Sequence, residues 1–240
     1  SFNGYFESDN AVAAVRVLQA GGYAVHVASG TQPGGSAAEP LCCGRTLMAA
    51  GLADEAKAKA RQMVDALEPL ARRGINIVGL EPSCLFTLRD EFLAMGLGEP
   101  AEVVAGQALM FEEFLAREAR AGRFAPALKP STQPLLVHGH CHQKAFAAMS
   151  PVLEVLKLIP GAAPSLIESS CCGMAGSFGY EAEHVDVSLQ MAELSLLPAV
   201  RAASAETVIV ADGTSCRHQI ADGAGREALH VARVLQMHLL

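Results

Sequence analysis

Tryptophan is absent from this 240-residue chain and aromatic residues make up only 5% of it, so alanine, leucine and valine must do the packing. Charge is sparse as well, at 18% of residues, and the basic sign is the scarcer one. The 18 Lys and Arg stand against 25 Asp and Glu, for a net charge of −7. That balance argues against a nucleic-acid backbone as partner, because neutralising phosphates needs clustered Lys and Arg. No apolar run approaches the roughly 18 residues needed to span a bilayer. No secretory signal leads the chain, which opens Ser1-Phe2-Asn3-Gly4-Tyr5 without a basic or apolar lead. A helical pattern begins by residue 10, and this abrupt opening suggests a portion of a longer protein.

Hydrophobic residues reach 51%, enough for one large domain or two small ones with real cores. Seven cysteines are present, and six fall into two similar arrangements. Cys42-Cys43-Gly44 is followed about forty residues later by Cys84, and Cys171-Cys172-Gly173 by Cys216. Cys141 precedes the second doublet, inside His138-Gly139-His140-Cys141-His142. Adjacent cysteines bridge to each other only in a strained ring, so each doublet reads as a pair of metal-ligand thiolates. An odd count clustered beside His and Gly differs from a secreted disulfide framework and points to a reducing compartment, the cytoplasm.

The order of elements repeats. Ala11–Ala20 is a helix stopped by Gly21-Gly22, Tyr23–Val27 a short strand, and Thr31–Pro40 a surface loop into the first doublet. A long helix over 53–73 precedes a strand at Ile75–Leu80, the turn Glu81-Pro82-Ser83-Cys84, and helices near Phe86–Met95 and Ala105–Ala119. Residues 123–134, with Pro126, Pro130 and Pro134, read as a linker between a first repeat at 1–122 and a second at 135–240. The second repeat runs through a strand at Leu135–Val137, a helix over Gln143–Leu158 and a strand at Ser165–Glu168. It continues with a helix over Glu183–Ala203, a strand at Thr207–Ala211 and a closing amphipathic helix. Even the tails match, Ala108-Leu109-Met110-Phe111 against Ala228-Leu229-His230-Val231. The expected fold is α/β, two tandem pseudo-repeats of about 110 residues, each a small, mainly parallel sheet flanked by helices.

In both halves the cysteines follow the carboxyl end of a strand or a Gly-rich turn, where open α/β sheets gather their sites. Cys141, Cys171, Cys172 and Cys216 come from three such turns and make a four-sulfur set suited to a [4Fe–4S] cluster or to tetrahedral zinc. The Gly173–Gly179 stretch can supply backbone N–H donors to the sulfurs. Matching the two helix stops places the first-half counterpart of Cys141 near Phe2 or Asn3, so only Cys42, Cys43 and Cys84 remain there. Those three form a possible second metal site, with Glu81 or His26 as a fourth ligand, or hold nothing. Blander roles compete throughout. Buried cysteine also packs as a small hydrophobe, and His138, His140 and His142 are zinc ligands or hydrogen-bonding residues. His140, His142, His218 and Gly173 are candidates to support the sulfurs. Arg45 and Arg217 offset thiolate charge or are solvated, and Tyr180 is a core aromatic or a proton donor.

The doublets at these spacings resemble the cysteine-rich CCG domain. It occurs in tandem in subunits of heterodisulfide reductase and of anaerobic glycerol-3-phosphate dehydrogenase, and in the iron–sulfur subunit of glycolate oxidase. The segments His138–Lys144, Cys171–Glu181 and Ala211–Gln219 most strongly resemble the C-terminal part of FAD-linked D-2-hydroxyacid dehydrogenases of the D-lactate and D-2-hydroxyglutarate type. The resemblance implies electron transfer. A flavin domain outside this chain, carrying FAD, oxidises a 2-hydroxy acid. This portion relays electrons through iron–sulfur chemistry to a quinone- or cytochrome-type acceptor, without oxidising substrate alone. A peripheral position at the inner face of the membrane goes with that role. The chain departs from the family pattern where Glu81 and Gly213 take the first place of Cys-x-x-Cys. A five-thiolate non-cubane cluster is therefore not expected; a cubane-like cluster or zinc, which some of the broader family bind, is.

Overall fold

The structure, a computed structural model, describes residues 2–29, 40–169 and 171–240; the loop expected at Thr31–Pro40 lies, apart from Pro40, outside them. A π-helical turn at Phe2–Phe6 opens the described chain. The first half then runs α1 (Ser8–Ala20), α2 (Arg45–Ala49), α3 (Ala53–Ala71), β1 (Ile77–Gly79), α4 (Pro82–Arg89), α5 (Glu91–Ala94), α6 (Glu99–Gln107), β2 (Ala108–Met110) and α7 (Phe111–Arg120). The second half runs β3 (Leu135–His138), α8 (Cys141–Ala145), α9 (Met149–Leu156), β4 (Pro164–Leu166), α10 (Val185–Glu193), α11 (Leu196–Ala202), β5 (Val208–Ala211), α12 (Thr214–Ala224), β6 (Ala228–Leu229) and α13 (Val231–Met237).

The strands form two small sheets, β1-β2 and β4-β3-β5-β6, and every pairing is parallel. This is the α/β class that the alternation of strand and helix implied. In the larger sheet β3 and β5 are neighbours, while the chain leaves β3 for β4 on the opposite side. That makes a switch point, with a crevice at the strands' carboxyl ends. Side chains alternate across the strands. Leu135, Val137 and Val210 face a core built with α1, α7, α9 and α13, whereas Ile209 and Ala211 face a second core under α10, α11 and α12. A third core belongs to α3, α4, α6 and β2. The first of these cores joins the halves, because Ala13, Ala14, Val17 and Leu18 of α1 lie in it with Val231, Val234 and Leu235 of α13.

Several elements differ from the sequence expectation for identifiable reasons. The helix expected over Ala105–Ala119 is interrupted by β2, whose residues pair with β1 in the register Ile77↔Ala108 and Gly79↔Met110. Tertiary pairing there overrides helical propensity. The matching tail at Ala228-Leu229 is likewise a strand, β6. The helix expected over Gln143–Leu158 breaks at Ala147, with φ 54°, and that over Glu183–Ala203 breaks before Leu196. Pro151 and Pro198 stand four residues beyond Ala147 and Leu194, and a proline ring clashes with the carbonyl four residues back. Tyr23–Val27 forms no regular strand. Around the expected linker, Lys129 N donates to His238 O at 2.7 Å, and Ser131 N to Pro160 O at 2.9 Å.

Candidate metal centre

Three strand ends deliver the second-half cysteines to one crevice. β3 ends at His138 and leads through Gly139 and His140 to Cys141, the first residue of α8. β4 leads to Cys171 and Cys172, and β5 through Asp212 and Gly213 to Cys216 in the first turn of α12. The four sulfurs form a row, with Cys141 hydrogen-bonded to Cys171, Cys171 to Cys172, and Cys172 to Cys216. The last pair is 3.4 Å apart. Cys216 is wholly buried, Cys172 is buried, and Cys141 and Cys171 reach partway to solvent.

The doublet loop aims backbone donors at the sulfurs. Gly173 N–H points to Cys171 Sγ at 3.2 Å, and the backbones of Ala175 and Met174 serve Cys171 and Cys172. The consequence is an alternating row. Hydrogen bonds from Cys141 and Cys172 hold the Cys171 thiol far below its ordinary range despite burial. The Cys172 contact, helped by His138 and opposed by burial, does the same for Cys216. Cys141 is pushed up by its bond to Cys171 and by burial. Cys172 is pushed up by its bonds to Cys171 and Cys216 and by burial. The four sulfurs thus alternate in acidity along one crevice.

A fifth group enters it. A ring nitrogen of His138 lies within 4.8 Å of the Cys172 and Cys216 sulfurs, and all three residues are buried. His138 Nδ1 is paired with Ser169 Oγ at 2.9 Å. Among the described residues, Nε2 is buried with no well-formed hydrogen bond, and the ring also meets the Cys216 sulfur. Soft thiolates beside an imidazole nitrogen suit a thiophilic metal. The alternating His138-Gly139-His140 run was the sequence signal for this residue. His140 instead caps α8, its Nδ1 accepting from His142 N at 3.1 Å, while Nε2 contacts Ser83 Oγ of the first half at 3.3 Å. His142 stacks on His140 with ring centroids 5.2 Å apart. His218 is exposed and pairs with Tyr180 Oη at 2.7 Å. Tyr180 itself is 56% exposed, so it is no core aromatic.

Gly213 shows why that position suits glycine. A Cβ there would lie 2.4 Å from the His140 ring and 3.2 Å from Cys216 Sγ, so a cysteine side chain would displace His140. Beneath the turns, Gln143 accepts from His140 N at 3.1 Å and donates to Glu112 Oε1 at 2.6 Å and Asp212 Oδ2 at 2.8 Å. It thereby ties the Cys141 turn to the Cys216 turn. Burial and the charge of Asp212 hold the Glu112 carboxyl well above its ordinary range.

The first-half cysteines repeat the doublet geometry. Gly44 N–H points at Cys42 Sγ at 3.5 Å, and Cys43 hydrogen-bonds Cys42 and Cys84. The Cys42 bond favours the Cys43 thiolate, but the Cys84 bond and burial outweigh it and push Cys43 up to about 12. Of the fourth ligands entertained for this set, Glu81 lines the same cavity as Cys43 and Cys84. His26 is exposed, and the Glu81 carboxylate accepts from Thr214 N at 2.9 Å and from Thr214 Oγ1 at 3.1 Å, at the start of α12.

Glu81 thus caps the helix that carries Cys216, from the other half of the chain. Glu81→Ala is expected to cost about 1–2 kcal/mol in denaturant unfolding by stranding that N–H. Glu81→Gln, which keeps an acceptor, is expected to cost less than half as much. A second tie runs from Glu7. Arg217 is buried, not solvated, and holds Glu7 Oε1 through Nε at 2.9 Å and the carbonyls of Ala211 and Asp212 through Nη1 at 2.8 and 2.7 Å. The Arg45 side chain pairs with Glu91, while its backbone hydrogen-bonds Cys43. Burial would raise the Glu7 carboxyl, yet the hydrogen bonds from Arg217 and Thr214 and the Arg217 charge together lower it. The stability this adds is present above the ordinary value of 4.5 and is lost as pH falls through the depressed folded value. Unfolding measured from about pH 6 to pH 3 is expected to show this loss, no more than about 1 kcal/mol after solvent screening. Arg217→Gln is expected to flatten it.

Comparison with known proteins matches this sequence to a family. The model of the cysteine-rich domain, CCG, matches residues 23–89 and 135–221. A subunit of the anaerobic glycerol-3-phosphate dehydrogenase of Escherichia coli K12 is 29% identical over 213 residues, 86% of this chain and 49% of that protein. The D-2-hydroxyglutarate dehydrogenases of Escherichia coli K12 and Pantoea ananatis are 29% and 26% identical over 73% of this chain, which covers 17% of each. The chain therefore spans about half the length of the glycerol-3-phosphate dehydrogenase relative and a smaller share of the D-2-hydroxyglutarate dehydrogenases. With both doublets inside the matched segments, the protein belongs to the cysteine-rich CCG-domain family.

Proposed function

We propose that this chain is the electron-transfer portion of a flavin-linked dehydrogenase acting on a 2-hydroxy acid of the D-lactate type, with a [4Fe–4S] cluster held by Cys141, Cys171, Cys172 and Cys216. When bound, such a cluster supplies one-electron redox chemistry. The observation that carries the reading is the continuous row of four sulfurs at the carboxyl edge of a parallel sheet, with backbone N–H groups aimed at them. In this reading the four thiolates anchor the metal. The N–H groups of Gly173, Met174 and Ala175 offset the sulfur charge, and burial of Cys172 and Cys216 excludes water and sets the potential. Gln143 keeps the turns in register. FAD and the hydroxy-acid site belong to a partner domain or subunit, and the acceptor is of quinone or cytochrome type. The relatives named as dehydrogenases, or as part of one, support this placement. The chain reads as two CCG repeats, 1–122 and 135–240, joined by 123–134. No helix among the described residues is long and apolar enough to cross a membrane.

One observation favours a second reading, a structural zinc site. His138, Cys172 and Cys216 make a compact buried N/S donor set, and zinc takes such ligands in closed tetrahedral sites. Metal and sulfide analysis of anaerobically prepared protein, with electron paramagnetic resonance after dithionite reduction, separates the two. Iron with acid-labile sulfide and a reducible signal supports electron transfer; stoichiometric zinc with a metal-dependent melting temperature supports the structural site.

A further inference from the structure

The first-half thiols are not used by the centre proposed above. Cys42 and Cys43 end the segment that enters α2, and Cys84 stands in the first turn of α4. Cys43 lies between the other two and hydrogen-bonds both sulfurs. The surroundings differ from those of the second half. Phe2 and Asn3, matched by sequence to the place of Cys141, sit in a π-helical turn, and the Glu81 carboxylate is tied to Thr214. Beside the sulfurs opens a mainly apolar cavity of about 260 Å³, lined by Cys43 and Cys84, by side chains such as Phe2, Leu85 and Leu88, and by the polar Asn3 and Glu81. Cys84 is only half-buried, whereas Cys43 is 4% exposed. Two sulfurs in contact thus share the wall of a cavity that admits a small apolar molecule.

We propose that Cys84 and Cys43 form a peroxide-reactive dithiol whose oxidant is an apolar organic hydroperoxide received in this cavity. The more accessible Cys84 sulfur attacks the terminal oxygen of the hydroperoxide ROOH. The O–O bond breaks, ROH leaves with one proton, and Cys84 becomes a sulfenic acid. The Cys43 sulfur then attacks the Cys84 sulfur. The S–S bond forms, and the sulfenic hydroxyl departs as water with the Cys43 proton. In sum, ROOH and two thiols give ROH, water and one disulfide, the two electrons passing from the sulfurs to the peroxide. Cys43 resolves onto Cys84 because a bridge to its neighbour Cys42 would close a strained ring.

The test uses the full chain, prepared anaerobically with whatever metal it carries, and one equivalent of cumene hydroperoxide. Remaining thiols are alkylated with N-ethylmaleimide, and the digest is mapped by mass spectrometry. The expected result is a peptide containing Cys43 linked to one containing Cys84, with cumyl alcohol formed in equal amount. In Cys43→Ser the sulfenic acid is expected to persist on Cys84 and to be captured by dimedone, while Cys84→Ser loses the linkage and the capture. Alkylated Cys43 and Cys84 after peroxide treatment, or capture on Cys42 in place of Cys84, would overturn the proposal. The linked peptide is read in the unaltered chain, so no variant has to fold for the outcome to count. Iron and zinc measured on the same sample judge the second-half centre separately.

Discussion

Cys172→Ser is expected to lower bound iron by more than about tenfold and to erase the reduced-state paramagnetic signal, since loss of a ligand exceeds the effect of its supporting partners. The magnitude follows from position. Cys172 is one of the two inner sulfurs of the row, buried and touching both Cys171 and Cys216. No other thiol stands between those two, and serine is a hard, weakly acidic donor in place of a soft one. The matched control is Cys43→Ser, the same residue of the other doublet. It is expected to leave iron content unchanged, because the centre is assigned to the second half alone. Iron lost equally from both variants would mean that the halves hold metal jointly or that the fold has been damaged. Melting curves distinguish these two outcomes.

Gly173→Ala is expected to destabilise the chain by about 4 kcal/mol or more, among the largest effects of a single methyl group. Two costs combine. Gly173 has φ +91°, and an added Cβ would lie 2.1 Å from the carbonyl oxygen of Ser188. That oxygen is backbone inside α10 and also accepts from Gln219 Nε2 at 3.1 Å, so it has little freedom to retreat. The strained conformation alone costs about 1–2 kcal/mol. Gly44 repeats the situation at φ +77°, with Cβ 2.7 Å from Ala56 O, and Gly44→Ala is expected to cost about 2–3 kcal/mol. Chemical denaturation of both variants checks the order. Near-neutral values would show that the loops rearrange easily and that glycine is not required by the doublet.

The glycine of each doublet was legible as a motif, but its reason was not. The packing of Ser188 and Ala56 against the two loops depends on how α10 and α3 fold back over them. Strand–helix alternation carried the fold class, since parallel strands need crossovers and the helices supply them. Proline carried more than periodicity did: Pro151 and Pro198 mark helix breaks that an unbroken apolar pattern over 143–158 and 183–203 conceals. β2 was hidden because Ala108–Met110 has no strand-like composition and is recruited by β1. Its likeness to the tail containing β6 was the usable clue. At the candidate site, the cysteine spacing was visible along the chain. The partners of Glu81, Glu7 and Arg217 were not, because those contacts join residues more than a hundred positions apart. His138 was visible only as one of three alternating histidines. Burial and the pairing of its Nδ1 with Ser169 single it out.

The most direct test of the central claim is iron, acid-labile sulfide and zinc measured per chain on protein prepared and kept under anaerobic conditions. About four irons and four sulfides per chain are expected, as a single cubane requires, with zinc absent. One zinc per chain with neither iron nor sulfide, even after anaerobic reconstitution, would contradict the claim.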